Sequence, residues 1–555
     1  MKSRLHRIEI RNFKAFREFT LDLEGRHLLV YGANGAGKSS LYWALYTFLQ
    51  SARKSPKGSI AKYFEPGGAE NLLNIHEDAA LKPGEIALTL RDVAAKIDTT
   101  YRISKADHST HQQPVILKGD LASDFITYRF FFGFSDFKNS QKFNVWPLFE
   151  KEILPFCVST GGKVPVDCWN AIKTGVANPA GYSGYAGADA YQAFHARTSE
   201  FAAMLPGIVD AISAQAQKFY DEHFAAGDPA PIKLKLGVTT IPSSTGGNQS
   251  SFQFTIPVVE FGIQVPGKPA ITRPQSFLNE AKLTQLALCV RFAASLVNLR
   301  ESDLKLLVLD DLLVSLDMSN RMKVVEILLS ETFAGYQKII LTHELGFFRE
   351  FRRKLGASHP NWCFIRLEGT AAGKIEGRIE KTELQKAEEY LHGHNLDEAA
   401  VCLRKAADDM AKRYREWTDG KKLPPGEFSS LTENLRAARQ RLLEKLPNKL
   451  YARVLLGTPP ALRDHLVPTS DVDIDALAGV DVADRGRLKS ARRYLRSLLK
   501  DDNWQVMENI RLIDEVLDTT ERVLNPGAHG GDAPLYPHEV RKALDLVAKL
   551  ETCLA

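Results

Sequence analysis

Residues 32–39 read Gly-Ala-Asn-Gly-Ala-Gly-Lys-Ser. Glycines at this spacing let successive backbone N–H groups turn inward on a phosphate. A helix that starts directly afterwards presents its positive N-terminus to the same group. In such a loop Gly32, Asn34, Gly35, Ala36 and Gly37 form the cradle. Lys38 reaches the β- and γ-phosphates, and the Ser39 hydroxyl, with Ser40 beside it, sits where Mg2+ is ligated. A second chemical signal lies far downstream in Leu306-Leu307-Val308-Leu309-Asp310-Asp311. A carboxylate at the end of a buried strand is costly unless a cation or hydrogen bonds meet it. Asp310 is therefore assigned to water-mediated Mg2+ binding and Asp311 to orienting an attacking water. The alternative for the pair is two loop or capping aspartates.

These residues need elements to hold them. His27-Leu28-Leu29-Val30-Tyr31 is a short apolar run, read as a buried strand leading into the loop, and Leu41 to Leu49 reads as a buried helix leaving it. Leu5 to Ile10 and Phe19 to Leu23 alternate as half-buried strands do. Further strand-like runs are IALTLRD, TTYRIS and PVILKG within 85–119, and two pieces near 232–240 and 251–264. Residues 121–155 are aromatic-rich and read as partly helical, 158–190 as irregular, and 191–224 as helical. A long helix is expected over 276–300, a buried strand over 304–310, a helix over 320–329 and another buried strand over 338–342. From about residue 382 strand signals vanish and helical periodicity runs almost to the end, with breaks at 420–426 and 467–484.

The bulk properties exclude little. The chain has 555 residues, with 44% apolar and 25% charged residues, an ordinary globular balance that rules out a disordered chain or a fibre. A net charge of +5, from 72 basic and 67 acidic residues, is too small to argue a nucleic-acid partner by itself. The six cysteines form no CxxC pair and no zinc-ligand spacing, which predicts free thiols. No apolar run approaches a membrane span and the basic N-terminus lacks a secretory pattern, so a cytoplasmic protein is expected.

Four motifs in order carry a resemblance: RIEIRNFKAF, YGANGAGKSSLYWAL, LVLDDLLVSLD and IILTHE. Over about residues 1–380 the chain resembles the ATP-binding head of ABC-type ATPases of the SMC and RecF kind. The resemblance implies an α/β ABC-type P-loop ATPase head with inserted helices, using ATP and Mg2+. An insertion is expected at about 121–230, and an all-α helical bundle over 381–555. By motif, Asp317 matches the D-loop and His343 the switch histidine that senses the γ-phosphate. Ser276 to Thr284 takes the place of the LSGGQ-like signature. There Asn279 replaces serine, and Glu280 and Ala281 replace the two glycines. Asn279 is either a phosphate contact in trans or a helix N-cap. Gln141 is the candidate for the Q-loop, against the alternative of an exposed glutamine in a polar loop. Asp311 stands where many relatives have glutamate. In such ATPases one head's signature completes another's site, so a homodimer or higher homo-oligomer is implied. The DD followed by SLD is similar to the anticodon-nuclease ATPases PrrC and RloC and to other phage-defence ATPases.

In the helical region Arg522 and His529 fit an R-x6-H spacing that resembles HEPN domains, helical bundles that include metal-independent ribonucleases. There His529 would act as acid or base and Arg522 would stabilise phosphorane charge. The alternative is an arginine capping helix-end carbonyls and a histidine in a glycine-rich turn. Basic clusters at 349–354 and 485–496 read as phosphate grips or as solvated helix faces. Three functions follow. One is an ATP-driven sensor with its own RNase, acting on tRNA in anti-phage defence. Another is an ATPase subunit regulating a separate nuclease partner, as in Septu-type (PtuA) or retron-linked systems. The third is a RecF-like DNA repair ATPase.

Overall fold

The computed structural model describes residues 3–54, 60–157, 164–177, 189–227, 231–245, 251–297, 302–311, 318–355, 359–370, 374–420, 429–447, 449–457, 472–476, 478–479, 481–498, 501–525 and 534–554. The chain packs as two compact units, one of residues 1–352 with 359–380, the other of 353–358 with 381–555.

The first unit opens with strands β1 (Ser3–Phe13), β2 (Phe16–Asp22) and β3 (His27–Gly32), then helix α1 (Lys38–Gln50). Strands β4 (Glu85–Asp92) and β5 (Asp98–Ser104), helix α2 (Pro114–Ala122), strand β6 (Asp124–Thr127) and helix α3 (Tyr128–Ser135) follow. Helices α4 (Pro165–Ala177) and α5 (Asp189–His223) precede an antiparallel pair, β7 (Lys233–Thr240) and β8 (Val258–Gln264). Then come α6 (Glu280–Val297), β9 (Leu306–Asp310), α7 (Met318–Leu329), β10 (Gln337–Thr342), α8 (Leu345–Leu355), β11 (Trp362–Gly369) and β12 (Ile375–Ile379).

Two sheets organise these elements. A four-stranded antiparallel sheet runs β2-β1-β4-β5. A six-stranded sheet runs β12-β11-β3-β10-β9-β6, parallel except for the β12 edge. Strands buried on both faces read as continuous apolar runs, and β3, β9 and β10 are such runs. Side chains from both sheets and α1 meet in one core that includes Leu28, Val30, Leu41, Phe48, Val308, Leu341 and Ile365. The parallel register sets the carboxyl ends of four strands side by side, because Thr342 pairs with Tyr31, Asp310 with Leu341, and Asp310 with Thr127 on its other edge. Ligands of open α/β sheets bind at that edge.

The second unit is all helical: α9 (Glu383–His392), α10 (Leu396–Asp419), α11 (Leu431–Lys445), α12 (Lys449–Leu456), α13 (Val482–Leu498), α14 (Asp501–Thr519) and α15 (Pro537–Cys553). Capping boxes start α9 at Thr382 with Gln385 and α11 at Ser430 with Glu433. Their apolar faces close a second core around Leu403, Ala407, Leu435, Ile513 and Val547.

Three segments depart from the sequence reading. PVILKG is not a strand: it opens α2, with Pro114 at the first helical turn and Ile116, Gly119 and Ala122 on the buried face. Asp124–Thr127, inside the aromatic-rich stretch, is a strand of four residues and forms the edge of the large sheet. Strands β11 and β12 were not anticipated, although Trp362–Gly369 is largely buried beside β3. All six cysteines are free. Among the described residues no helix is long and apolar enough to cross a membrane.

Candidate functional site

The loop after β3 turns through two glycines at positive φ, Gly35 at 84° and Gly37 at 94°, a region that side chains rarely occupy. Gly37 is also the N-cap of α1, and as a glycine it offers no side-chain cap to that helix. The first-turn N–H groups of α1 therefore keep their donor capacity for an anion. Lys38 is buried, and its Nζ donates to the carbonyls of Gly32 at 2.9 Å and Ala33 at 3.2 Å, with Asp311 at 3.7 Å. Asn34 and Gly35 are exposed at the loop tip, and Ala36 bonds back to Ala33. Ser40 is buried and its Oγ accepts from the Ala15 N–H, so its hydroxyl ties the turn between β1 and β2 to α1.

The acidic pair divides its work. Ser39 Oγ donates to Asp310 Oδ2 at 2.9 Å across 271 residues of sequence. The other oxygen, Asp310 Oδ1, is buried with no hydrogen-bond partner among the described residues. Burial pushes the Asp310 carboxyl up to about 6, with Asp311 adding to the rise and the Ser39 bond opposing it. An orphaned buried carboxylate oxygen beside a serine hydroxyl fits a hydrated divalent cation, which would relieve both the missing partner and the cost of charge. Asp311 follows at φ 49°, a left-handed backbone that Asp tolerates better than most residues. Its Oδ1 accepts from the His343 backbone N–H at 2.8 Å and lies 2.7 Å from His343 Nδ1. The last turn of β9 and the end of β10 thus present a carboxylate and an imidazole as one hydrogen-bonded pair, facing Lys38.

A cavity of about 200 Å³ opens beside Ser39 and Asp310. Its wall takes Tyr42, Trp43 and Tyr46 from α1, Thr127 from the end of β6, Tyr128 and Arg129 from the first turn of α3, and Lys151, Glu152 and Phe156. Burial raises the Glu152 carboxyl, an effect that Arg291 and Arg129 oppose. Burial also pushes the Tyr46 phenol up to about 12.

Gln141 is not among these residues. It lies on an exposed loop, where its Oε1 accepts from the Lys138 N–H and its backbone carbonyl accepts from Gln275 Nε2 at 2.9 Å. The residues beside the acidic strand at this cavity are 127–129, and the signal for them was the four-residue strand that the sequence hid. Asn279 is exposed, and its Oδ1 accepts from the Lys282 N–H at 2.8 Å, so it caps α6. Behind it, Gln285 donates to Asn320 at the start of α7, and Arg321 pairs with Glu344 next to His343. Neither of these two ties had a motif. Asp317 lies outside the described residues.

In the helical unit Arg522 makes a forked pair with Glu539, 3.0 Å to each carboxylate oxygen, and donates to the Pro534 carbonyl. Its guanidinium also lies 6.0 Å from the Tyr536 ring centre. Glu539 in turn accepts from the Tyr536 N–H at the start of α15. His529 lies outside the described residues. Within the 485–496 cluster, Arg487 pairs with Asp484 and Lys489 with Asp475.

The RecF/RecN/SMC N terminal domain family model matches residues 4–363. Among solved structures, the recombination mediator protein RecF with ATP is 16% identical, with TM-score 0.41, covering 68% of this chain and 99% of that one. The Smc head domain with an extended coiled coil bound to the C-terminal domain of ScpA, from Pyrococcus furiosus, is 13% identical, with TM-score 0.39, covering 71% of this chain and 99% of that one. No curated protein matches the chain.

Proposed function

The chain belongs to the RecF/RecN/SMC N-terminal domain family, and from that premise we propose that it binds and hydrolyses ATP and uses the nucleotide to join copies of itself. The observation that carries this reading is the convergence, from three strand ends, of a helix N-terminus with glycine at its N-cap, Lys38, the Ser39–Asp310 pair and the Asp311–His343 pair. Phosphate charge would be taken up by the loop amides and Lys38. Mg2+ would be held by Ser39 and, through water, by Asp310, and when bound it neutralises phosphate charge. Asp311 would orient the attacking water, with His343 fixing the Asp311 carboxylate.

The partner is a second copy. Asn279 stands exposed at the start of α6, and its capping bond fixes the side chain there while one face stays open to solvent. In light scattering, the Asp311→Asn variant is expected to double its mass on addition of ATP, and Asn279→Asp to lose that response through charge repulsion with phosphate. A monomeric mass with and without ATP overturns the reading.

For the helical unit the reading is a platform that regulates a separate nuclease partner in anti-phage defence. Arg522 supports this choice over a self-contained RNase. Its charge is neutralised by a two-point pair with Glu539, which leaves little for a phosphorane. The purified protein is then expected to leave tRNA and DNA intact until the partner is added. RNA cleavage by the purified chain alone would restore the RNase reading, and DNA-stimulated hydrolysis with no nuclease partner would favour a RecF-like repair role.

A further inference from the structure

Hydrolysis places new negative charge on the γ-phosphoryl oxygens, so a site that performs it gains from a cation free to meet that charge. The cations close to the phosphate loop are not equally free. Lys38 is held by two loop carbonyls. Arg291 is spent on Asp124, with two contacts of 2.5 and 2.7 Å. Arg129 differs from both. Its backbone N–H donates to Thr127 Oγ1, but its guanidinium makes no ion pair or hydrogen bond among the described residues.

The fold puts Arg129 at the reacting end of the sheet. Thr127 is the register partner of Asp310, and Arg129 stands two residues beyond it. Arg129 lines the same cavity as Ser39 and Asp310. Its charge acts on the carboxylates of both Asp310 and Glu152. Lys38, Asp311 and His343 form the other group of side chains at this edge. Along the strand order Lys38 follows β3 and Arg129 follows β6, so a γ-phosphate seated on the loop would have Lys38 on the β3 side and Arg129 on the β6 side.

We propose that Arg129 is a catalytic residue, an arginine supplied by the chain itself that contacts the γ-phosphoryl group and stabilises its charge during hydrolysis. This rests on the ATPase reading above. In the reaction the water oxygen bonds to the γ-phosphorus, and the bond from that phosphorus to the β,γ-bridging oxygen breaks. Its electron pair leaves with ADP, and the water's proton passes to Asp311 and then to the departing phosphate. Charge moves onto the equatorial and bridging oxygens, within reach of a guanidinium that forks toward two acceptors at once.

The test compares binding of ATP with binding of ADP plus aluminium fluoride, which imitates the transition state, and measures single-turnover hydrolysis. The full chain is used as wild type, Arg129→Ala, Arg129→Lys and Lys38→Ala. Arg129→Ala is expected to lose about 100-fold in turnover and in affinity for ADP–aluminium fluoride, on the order of one lost oxyanion donor. Its ATP affinity should stay within about threefold, because the contact tightens only as charge develops. Arg129→Lys should recover part of the loss, which a disturbed fold would not allow. Equal loss of both affinities makes Arg129 a ground-state binding or structural residue and overturns the proposal, as does unchanged turnover. Wild-type turnover that vanishes in Lys38→Ala upholds the ATPase reading independently, so a flat Arg129→Ala result on that background sinks this inference alone. Absence of wild-type turnover sinks both.

Discussion

Arg291 is the largest fully buried side chain among the described residues, with 1% of its side chain exposed. It sits in the middle of α6 and forks onto Asp124 at the start of β6, at 2.5 and 2.7 Å. Ser295 donates to the same carboxylate and also to the Arg291 carbonyl, and Tyr336 donates to the Ser295 carbonyl. Two charges out of water repay their desolvation only while both are present. Asp124→Asn therefore leaves a buried, uncompensated guanidinium, at a cost of about 3–5 kcal/mol. The first unit holds 374 residues, so its unfolding entropy is about 0.8 kcal/mol per degree, and a loss of 4 kcal/mol lowers its Tm by about 5 °C. Replacing both partners by apolar groups, Asp124→Leu with Arg291→Met, removes the charge problem, since Ser295 keeps its bond to the residue 291 carbonyl. That double variant is expected to recover most of the loss. Calorimetry on the wild type, the two single variants and the double variant closes the cycle, with a coupling of about 2–4 kcal/mol expected. If the double variant loses as much as the two singles together, the ion pair is not what binds α6 to β6, and the reasoning fails.

Other outcomes follow from the same geometry. His27 Nδ1 accepts from the Lys338 N–H at 3.0 Å, and burial, with Lys338 and Arg4 adding to it, depresses the imidazole to about 3. The unfolded chain then binds a proton that the native state does not between about pH 6.5 and 3, so stability falls as pH falls through that window, by about 1.4 kcal/mol per unit. Between pH 7 and 5, urea denaturation of His27→Asn should show about 2 kcal/mol less loss than wild type, and an identical loss would refute it. Asp311→Asn should unfold within about 1 °C of wild type, because Asn also tolerates the left-handed backbone at φ 49°. Its turnover should drop by about 100-fold or more, and a variant that still turns over normally removes Asp311 from the chemistry. Arg522→Ala should cost the helical unit no more than about 1 kcal/mol by thermal melting, since the Arg522 side chain is 41% exposed. A loss several times larger would mean that the fork with Glu539 is a core element.

The parts of the site that could be read in the sequence are those where spacing is itself the mechanism. Gly32 to Ser39 and the run into Asp310 carry their geometry locally, as a turn that needs positive φ and a strand that needs apolar side chains. The parallel order β11-β3-β10-β9-β6 is not local, since β3 pairs with segments about 310 and 335 residues away. Short apolar runs are also ambiguous between helix and strand. PVILKG is such a run and is helical, and the four residues Asp124–Thr127 are too few to show a period. Arg129 was lost with that strand, since only the pairing of Thr127 with Asp310 brings it to the cavity. Arg291 lies in a largely apolar helix. Its partner is 167 residues distant, so nothing in the helix itself could reveal its burial.

The hidden contacts have a common logic. Each fastens an element that carries a candidate site residue to the sheet edge or to its neighbour. Arg291 fixes α6, whose first turn Asn279 caps, to β6, which delivers Arg129. Gln285 fixes α6 to α7 through Asn320, and Arg321 fixes α7 to Glu344, the residue after His343. His343 closes onto Asp311, Asp311 approaches Lys38, and Ser39 closes onto Asp310. Buried polar contacts of this kind add little net stability against apolar substitutes, but they permit only one arrangement. On the proposed function, a phosphate seated on the loop would compete with the carbonyls of Gly32 and Ala33 for Lys38, and the contacts that tie β10, α7 and α6 together would connect that change to Asn279, where a second copy is proposed to dock.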